Sequence, residues 1–143
     1  MIETRLDKNF KIQGFFDKET STISYVVYDL KSKKCAVIDS VLDFDFSSGT
    51  IDYHNAEKII SYIEKMKLDL EWLIETHVHA DHLSASPYIQ KKLGGKIGIS
   101  EKISDIQNIF GKTFNAGTEF QRDGSQFDRL FKDNDEYKIG NIN

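Results

Sequence analysis

The sequence is poor in the residues that commonly organise small proteins: one cysteine and one proline in 143 residues, and little net charge. The single Cys35 excludes an intrachain disulfide and agrees with a reducing compartment, so the expected location is the cytoplasm. Cys35 opens the apolar run Cys35-Ala36-Val37-Ile38, which suits a buried core thiol better than a nucleophile. Nineteen basic against 23 acidic residues leave a formal charge of −4, too weak a field to recruit nucleic acid or an anionic membrane. No apolar run approaches the roughly 18 residues that cross a bilayer, and the first thirty residues lack the succession of a secretory signal. What is present, 39% hydrophobic and 12% aromatic residues, is ordinary globular composition, and residues 1–143 are expected to form one folded unit.

Several stretches have a period that names their structure. Ile23 to Tyr28 is mostly β-branched or aromatic, Asp29 to Lys34 is polar, and Cys35 to Ile38 is apolar, which together predict an antiparallel hairpin. Leu42 to Thr50 has no clean period and contains Ser47-Ser48-Gly49, so a loop is expected. Ala56, Ile59, Ile60, Ile63 and Met66 fall at helical spacing and predict an amphipathic helix from about Asn55 to Met66. Trp72 to Thr76 suits a buried strand. Ser86 and Pro87 have the chemistry of an N-cap and first helical residue, and Gly94-Gly95 supplies the stop; Lys96 to Ser100 resembles another strand. Strand, helix, strand, helix, strand in alternation is the order of a layered α/β unit. Further on, Phe110, Phe114, Phe120, Phe127 and Phe131 alternate irregularly with Gly111, Gly117 and Gly124, which predicts irregular structure around aromatic anchors or the wall of a substrate pocket; Tyr137 to Ile142 looks like the opening of a strand.

Thr76-His77-Val78-His79-Ala80-Asp81-His82 holds three of the four histidines and a carboxylate where the predicted strand stops. Residues two apart in an extended segment point the same way, so His77 and His79 can address one metal, while a turn lets Asp81 and His82 face a neighbouring position. Imidazole and carboxylate donors suit zinc, iron or manganese better than calcium or magnesium. His54, ahead of the first helix, and the later carboxylates Glu101, Asp105, Glu119 and Asp123 have no spacing that ties them to this cluster and are expected on the surface.

This string resembles the H-x-H-x-D-H signature of the metallo-β-lactamase superfamily, whose fold is a sandwich of two sheets flanked by helices and made of two similar halves. The resemblance implies that His77 and His79 belong to a first metal position, that Asp81 and His82 belong to a second, and that Asp39 supports the loop without touching metal. The longer run through Leu83-Ser84-Ala85, with Phe110-Gly111-Lys112, Phe114-Asn115-Ala116-Gly117 and Arg122-Asp123-Gly124, is similar to the persulfide dioxygenases and the β-lactamase-like hydrolases related to them. That branch implies a mononuclear iron and oxidation of glutathione persulfide to sulfite. A dinuclear zinc hydrolase of thioester or related bonds, with Asp81 orienting the attack or accepting a proton, is the alternative.

No histidine follows His82. The resemblance places the remaining ligands in the family's second half, so the expectation is the N-terminal half of an αββα sandwich, with iron or zinc as cofactor and with a small thiol-derived substrate in an active assembly. A lone half should expose apolar strand faces, and self-association, including exchange of elements between copies, is expected together with little turnover. A non-catalytic dimerising remnant is the third reading.

Overall fold

The computed structural model describes residues 9–113 and 122–143. The chain opens with strands β1 (Phe10–Asp17), β2 (Thr22–Asp29) and β3 (Lys34–Ile38), continues through β4 (Val41–Asp45) and β5 (Thr50–Asp52), and enters helix α1 (His54–Lys65). Strand β6 (Asp69–Ile74), a short β7 (Leu83–Ser84), helix α2 (Ser86–Leu93), β8 (Lys96–Ser100), helix α3 (Ile103–Thr113) and β9 (Arg129–Phe131) follow. Among the described residues six strands form one sheet in the order β1-β2-β3-β6-β8-β9, antiparallel up to β3 and parallel beyond it. A second, three-stranded sheet has the order β5-β4-β7.

The change from antiparallel to parallel follows from what joins the strands. A polar turn reverses the chain between β2 and β3, with Lys33 at a left-handed φ of 62°. Between β3 and β6 the chain instead crosses over through α1, as a parallel pair requires. Helix α1 buries Ala56, Ile59, Ile60 and Ile63, the face that the helical spacing predicts, against Val26, Cys35, Val37 and Leu73 of the sheet and Ile89 of α2. Cys35 is fully buried, and burial pushes its thiol up to about 12. A core thiol, not a nucleophile, is what the chain has there.

The structure departs from the sequence expectations in five places. Leu42 to Thr50 is not a loop: β4 pairs with β5 through Asp43↔Asp52, Phe44↔Ile51 and Asp45↔Thr50, and Gly49, at φ 70°, closes the turn by donating to the Asp45 carbonyl. Leu42-Asp43-Phe44-Asp45 does alternate apolar with acidic residues, but the strands are five and three residues long, so their pairing is set by tertiary contacts more than by local pattern. Helix α2 begins at Ser86 with Ala85 in the cap position, because the Ser84 hydroxyl takes the Ser86 backbone N–H and leaves the Ser86 side chain to turn inward. Residues 103–113 form a regular helix with Ile103 buried and Phe110 exposed, so Phe110 is no core anchor. Tyr137 to Ile142 opens no strand; Ile139 and Ile142 make one isolated bridge while the Tyr137 ring packs on Trp72 and Phe131. Strand β1, a stretch for which the sequence reading named no element, is an edge strand paired with β2. Phe114 and Phe120 lie outside the described residues.

The end of the chain is stitched to the sheet. Trp72 Nε1 donates to the Lys138 carbonyl at 3.0 Å, Gly140 N donates to Glu71 at 2.9 Å, and Asn141 donates through its backbone and its amide to buried Asp29 at 3.0 and 2.9 Å. Gly140 is required here: its φ is 59°, and a Cβ would stand 2.0 Å from Ser32 Oγ. The Ser32 hydroxyl, the Lys31 N–H and the Asn141 N–H hold the Asp29 carboxyl far below the usual range, against the opposing effect of burial. A carboxyl depressed in this way stabilises the fold fully above its unfolded value of about 4, and that contribution is lost as pH falls further. Unfolding followed by circular dichroism should therefore show a steep loss of stability below about pH 4 that Asp29→Asn makes shallower. In the core, Leu73→Ala should lower the unfolding free energy in urea by about 2–5 kcal/mol.

Candidate metal centre

Strands β3 and β6 lie side by side and parallel with Ile38 opposite Ile74, so the next residues, Asp39 and Glu75, leave neighbouring strands at one level. Residues at the carboxyl ends of adjacent parallel strands face a common crevice, and the histidine loop crosses this one. Asp39 has a left-handed φ of 51°, a conformation that aspartate tolerates better than most residues. Its carboxylate accepts from the Thr76 backbone N–H at 2.8 Å and from the Thr76 hydroxyl at 2.6 Å. Glu75 is buried and accepts from His79 Nε2 at 2.7 Å and from the hydroxyls of Ser84 and Ser86. The loop is thus held from below by two carboxylates.

Counting protons shows which nitrogen each imidazole turns outward. The Thr76 hydroxyl hydrogen goes to Asp39, so at 2.8 Å from His77 Nδ1 the Thr76 oxygen accepts, and the lone pair of His77 is on Nε2. His79 Nε2 donates to Glu75, with Asp39 Oδ1 at 3.2 Å, leaving the His79 lone pair on Nδ1. His82 Nδ1 donates to the Leu83 carbonyl at 2.9 Å, leaving the lone pair on Nε2. Among the described residues that Nε2 is the buried side-chain polar atom without a hydrogen-bond partner. A buried acceptor left without a donor costs free energy, and a bound cation is the ordinary remedy. In this respect the residues present fit a metal of the zinc or iron class.

The rings are close: His77 and His79 have centroids 4.5 Å apart, and His79 and His82 stack at 4.2 Å. One donor atom each from Asp39, His77 and His79 lie within 4.8 Å of one another, and so do donor atoms of His79, Asp81 and His82. All five residues singled out in the sequence therefore come together, but His79 joins the two groups where the sequence reading pairs it with His77 alone. Asp81 is exposed, accepts from the Thr22 hydroxyl at 3.2 Å, and is held below the usual carboxylate range by its own backbone N–H, with His82, Thr22 and His79 together outweighing the opposing effect of desolvation. His79 is raised from its ordinary value, first by the hydrogen bond to Glu75; burial pushes Glu75 up, but the bonds from His79, Ser84 and Ser86 together hold it below the usual value.

Other expected residues stand elsewhere. His54 is the exposed first residue of α1, and Glu101, Asp105 and Asp123 are exposed and join neither group; Glu119 lies outside the described residues. What sequence reasoning missed is Glu75, taken there as part of a plain buried strand. An acid directly after Trp72-Leu73-Ile74 and before two histidines was the available signal. Beside the loop is a cavity of about 320 Å³ whose lining includes His77, His79 and His82 together with Ile97, Ile103 and Phe127.

The sequence model of the metallo-beta-lactamase superfamily matches residues 18–138. A probable metallo-hydrolase of Burkholderia pseudomallei is 49% identical over 129 residues, which are 90% of this chain and 44% of that protein. The chain belongs to the metallo-beta-lactamase superfamily. The mitochondrial persulfide dioxygenase of Bos taurus is 24% identical over 96 residues, covering 67% of this chain and 34% of that protein. The crystal structure of a metallo-beta-lactamase from Staphylococcus aureus superposes with a TM-score of 0.63 at 22% identity, covering 93% of this chain and 31% of that one. The chain thus spans less than half the length of these relatives. The mixed α/β fold expected from the His77–His82 string is the fold observed. Among the described residues no helix is long and apolar enough to cross a membrane.

Asp39→Ala removes the acceptor of two Thr76 donors. It should lower the unfolding free energy by about 1.5–3 kcal/mol. In hydrogen-exchange mass spectrometry, peptides spanning Thr76 should lose protection while those from α1 keep theirs.

Proposed function

We propose that this chain supplies the histidine-rich half of a metal centre in an enzyme derived from the persulfide dioxygenases, acting on a small thiol-derived substrate. The observation that carries the metal reading is the buried, unpartnered Nε2 of His82 beside two imidazoles whose hydrogen bonds turn a lone pair outward. His77 and His79 would serve a first metal position and Asp81 and His82 a second, with His77 the one ligand carried over to a mononuclear iron and Asp39 fixing the loop through Thr76. Held there, the metal would supply Lewis acidity and, as iron, the redox capacity to oxidise a persulfide to sulfite with oxygen.

The remaining work falls to the chain's own residues. Ile97, Ile103 and Phe127 offer an apolar wall that excludes water and takes up the unreactive part of a substrate. Asp81, exposed at the rim, is placed to orient a reacting group or accept a proton. The sulfur-handling reading draws its support from the match to persulfide dioxygenase. A second reading, a zinc hydrolase of thioester or related bonds, draws support from the metallo-hydrolase of Burkholderia pseudomallei.

A second copy of the chain is proposed to complete the ligand set, and an isolated copy is expected to turn over slowly or not at all. Self-association is part of the proposal. Ile12 and Phe16 on edge strand β1 are 57% and 61% exposed, beside exposed Ile23 and Tyr25 of β2, an apolar face that a second copy would cover. The buried, unpaired Cys35 supports a reducing location such as the cytoplasm.

Elemental mass spectrometry of the purified chain and of His77→Ala tests the metal reading, with light scattering for size. About one iron per chain, lost in His77→Ala, is the expected outcome; two zincs would favour the hydrolase. Metal far below one per chain, with no change in His77→Ala, would leave a non-catalytic domain.

A further inference from the structure

We propose that Glu75 is a positioning residue of the metal centre: its buried carboxylate fixes the His79 ring as the Nε2–H tautomer and so aims Nδ1 at the metal. The inference rests on the metal-centre reading and extends it to a residue outside the H-x-H-x-D-H string.

Glu75 is 5% exposed, and among the described residues no lysine or arginine pairs with it. Its Oε1 receives the hydroxyls of Ser84 and Ser86, and its Oε2 receives His79 Nε2 at 2.7 Å. The serines are themselves committed. Ser84 Oγ accepts the Ser86 N–H at 3.1 Å, and Ser86 Oγ, having donated its hydrogen to Glu75, accepts from buried Ser40 at 3.2 Å. Every group around the carboxylate therefore donates to it. Only the proton on His79 Nε2 satisfies Oε2, and a neutral imidazole with that proton has its lone pair on Nδ1.

The link between strand and helix gives the contact its rigidity. Glu75 follows β6, Ser84 ends β7 and Ser86 starts α2, so one carboxylate ties both ends of the loop to the ring it orients. Thr76 sets His77 and the Leu83 carbonyl sets His82, but both are neighbours in sequence of the ring they serve. Glu75 reaches four residues along the loop, and its side-chain partner on the ring is nearly buried. A histidine ligand that donates its second nitrogen to a carboxylate is both more basic and better oriented, and loss of such a partner weakens metal binding by about 10–100-fold.

Glu75→Gln keeps the shape but puts an amide N–H₂ within reach of His79, which can then accept at Nε2 and move its proton to Nδ1. Long-range proton–nitrogen NMR of the metal-free protein at alkaline pH reads the tautomer directly. His79 in the original chain should be Nε2–H throughout, and Glu75→Gln should show the Nδ1–H form. Zinc affinity, measured by competition with a chromophoric chelator, should fall by about 10-fold or more in Glu75→Gln. Glu101→Gln, at an exposed carboxylate that belongs to neither ligand group, should retain both the tautomer and the zinc affinity. His79 found as Nδ1–H in the original chain, or zinc bound equally by the original chain and a folded Glu75→Gln, would overturn the role of Glu75 alone. Zinc binding by none of these proteins would overturn the metal-centre reading and this inference with it.

Discussion

The parallel pairing of β3 with β6 is the contact on which the rest depends. It sets Ile38 opposite Ile74 and thereby puts two carboxylates, Asp39 and Glu75, at the same edge of the sheet under one loop. A carboxylate in that setting is costly unless donors surround it. Thr76 donates twice to Asp39, while His79, Ser84 and Ser86 donate to Glu75, and meeting that need folds the loop with its imidazoles on the outside. The same hydrogen bonds that stabilise the crevice choose the tautomers. Fold and site are therefore one arrangement, and a change that slips β3 against β6 by a single residue would separate Asp39 from Thr76.

The helices serve this pairing from the far side. Helix α1 makes the crossover between β3 and β6 and buries Ile59 and Ile63 against the sheet, while α2 begins where Ser86 turns inward to Glu75. The loop's rigid mounting contrasts with its open front. His77 and Asp81 are exposed, and apolar Ile97, Ile103 and Phe127 line the same cavity as the histidines. The opposite edge, at Ile12 and Phe16 of β1, presents apolar side chains to solvent. Both features fit a chain that spans less than half the length of its relatives and whose site and sheet face are each shared with further polypeptide in the proposed function.

The parts that were legible in the sequence are those where local pattern and tertiary need agree. Helix α1 shows its buried face in the spacing of Ala56, Ile59, Ile60 and Ile63, and β8 matches Lys96 to Ser100 to the residue. The histidine string could be read because imidazole density is rare, and Asp39 only through a family resemblance. Other parts were hidden for stated reasons. Strands β4 and β5 are only five and three residues long, so the alternation of Asp43, Asp45 and Asp52 with their apolar neighbours is too brief to name them and pairing defines them. Helix α3 was masked by the phenylalanines and glycines around it, although Ile103 and Ile106 have helical spacing. Glu75 resembled a strand residue until β6 placed it beneath His79, because the donors that surround it come from Ser84 and Ser86, nine and eleven positions away.

The central claim is that the loop presents imidazole nitrogens to one metal centre. The most direct measurement is X-ray absorption at the metal edge of the zinc-loaded chain, where imidazole carbons give a distinct outer scattering shell. The account predicts zinc with two or more imidazole ligands among nitrogen and oxygen neighbours at about 2.0–2.1 Å, and loss of imidazole scattering in His79→Ala. Zinc surrounded by oxygen alone, or a spectrum unchanged in His79→Ala, would contradict it.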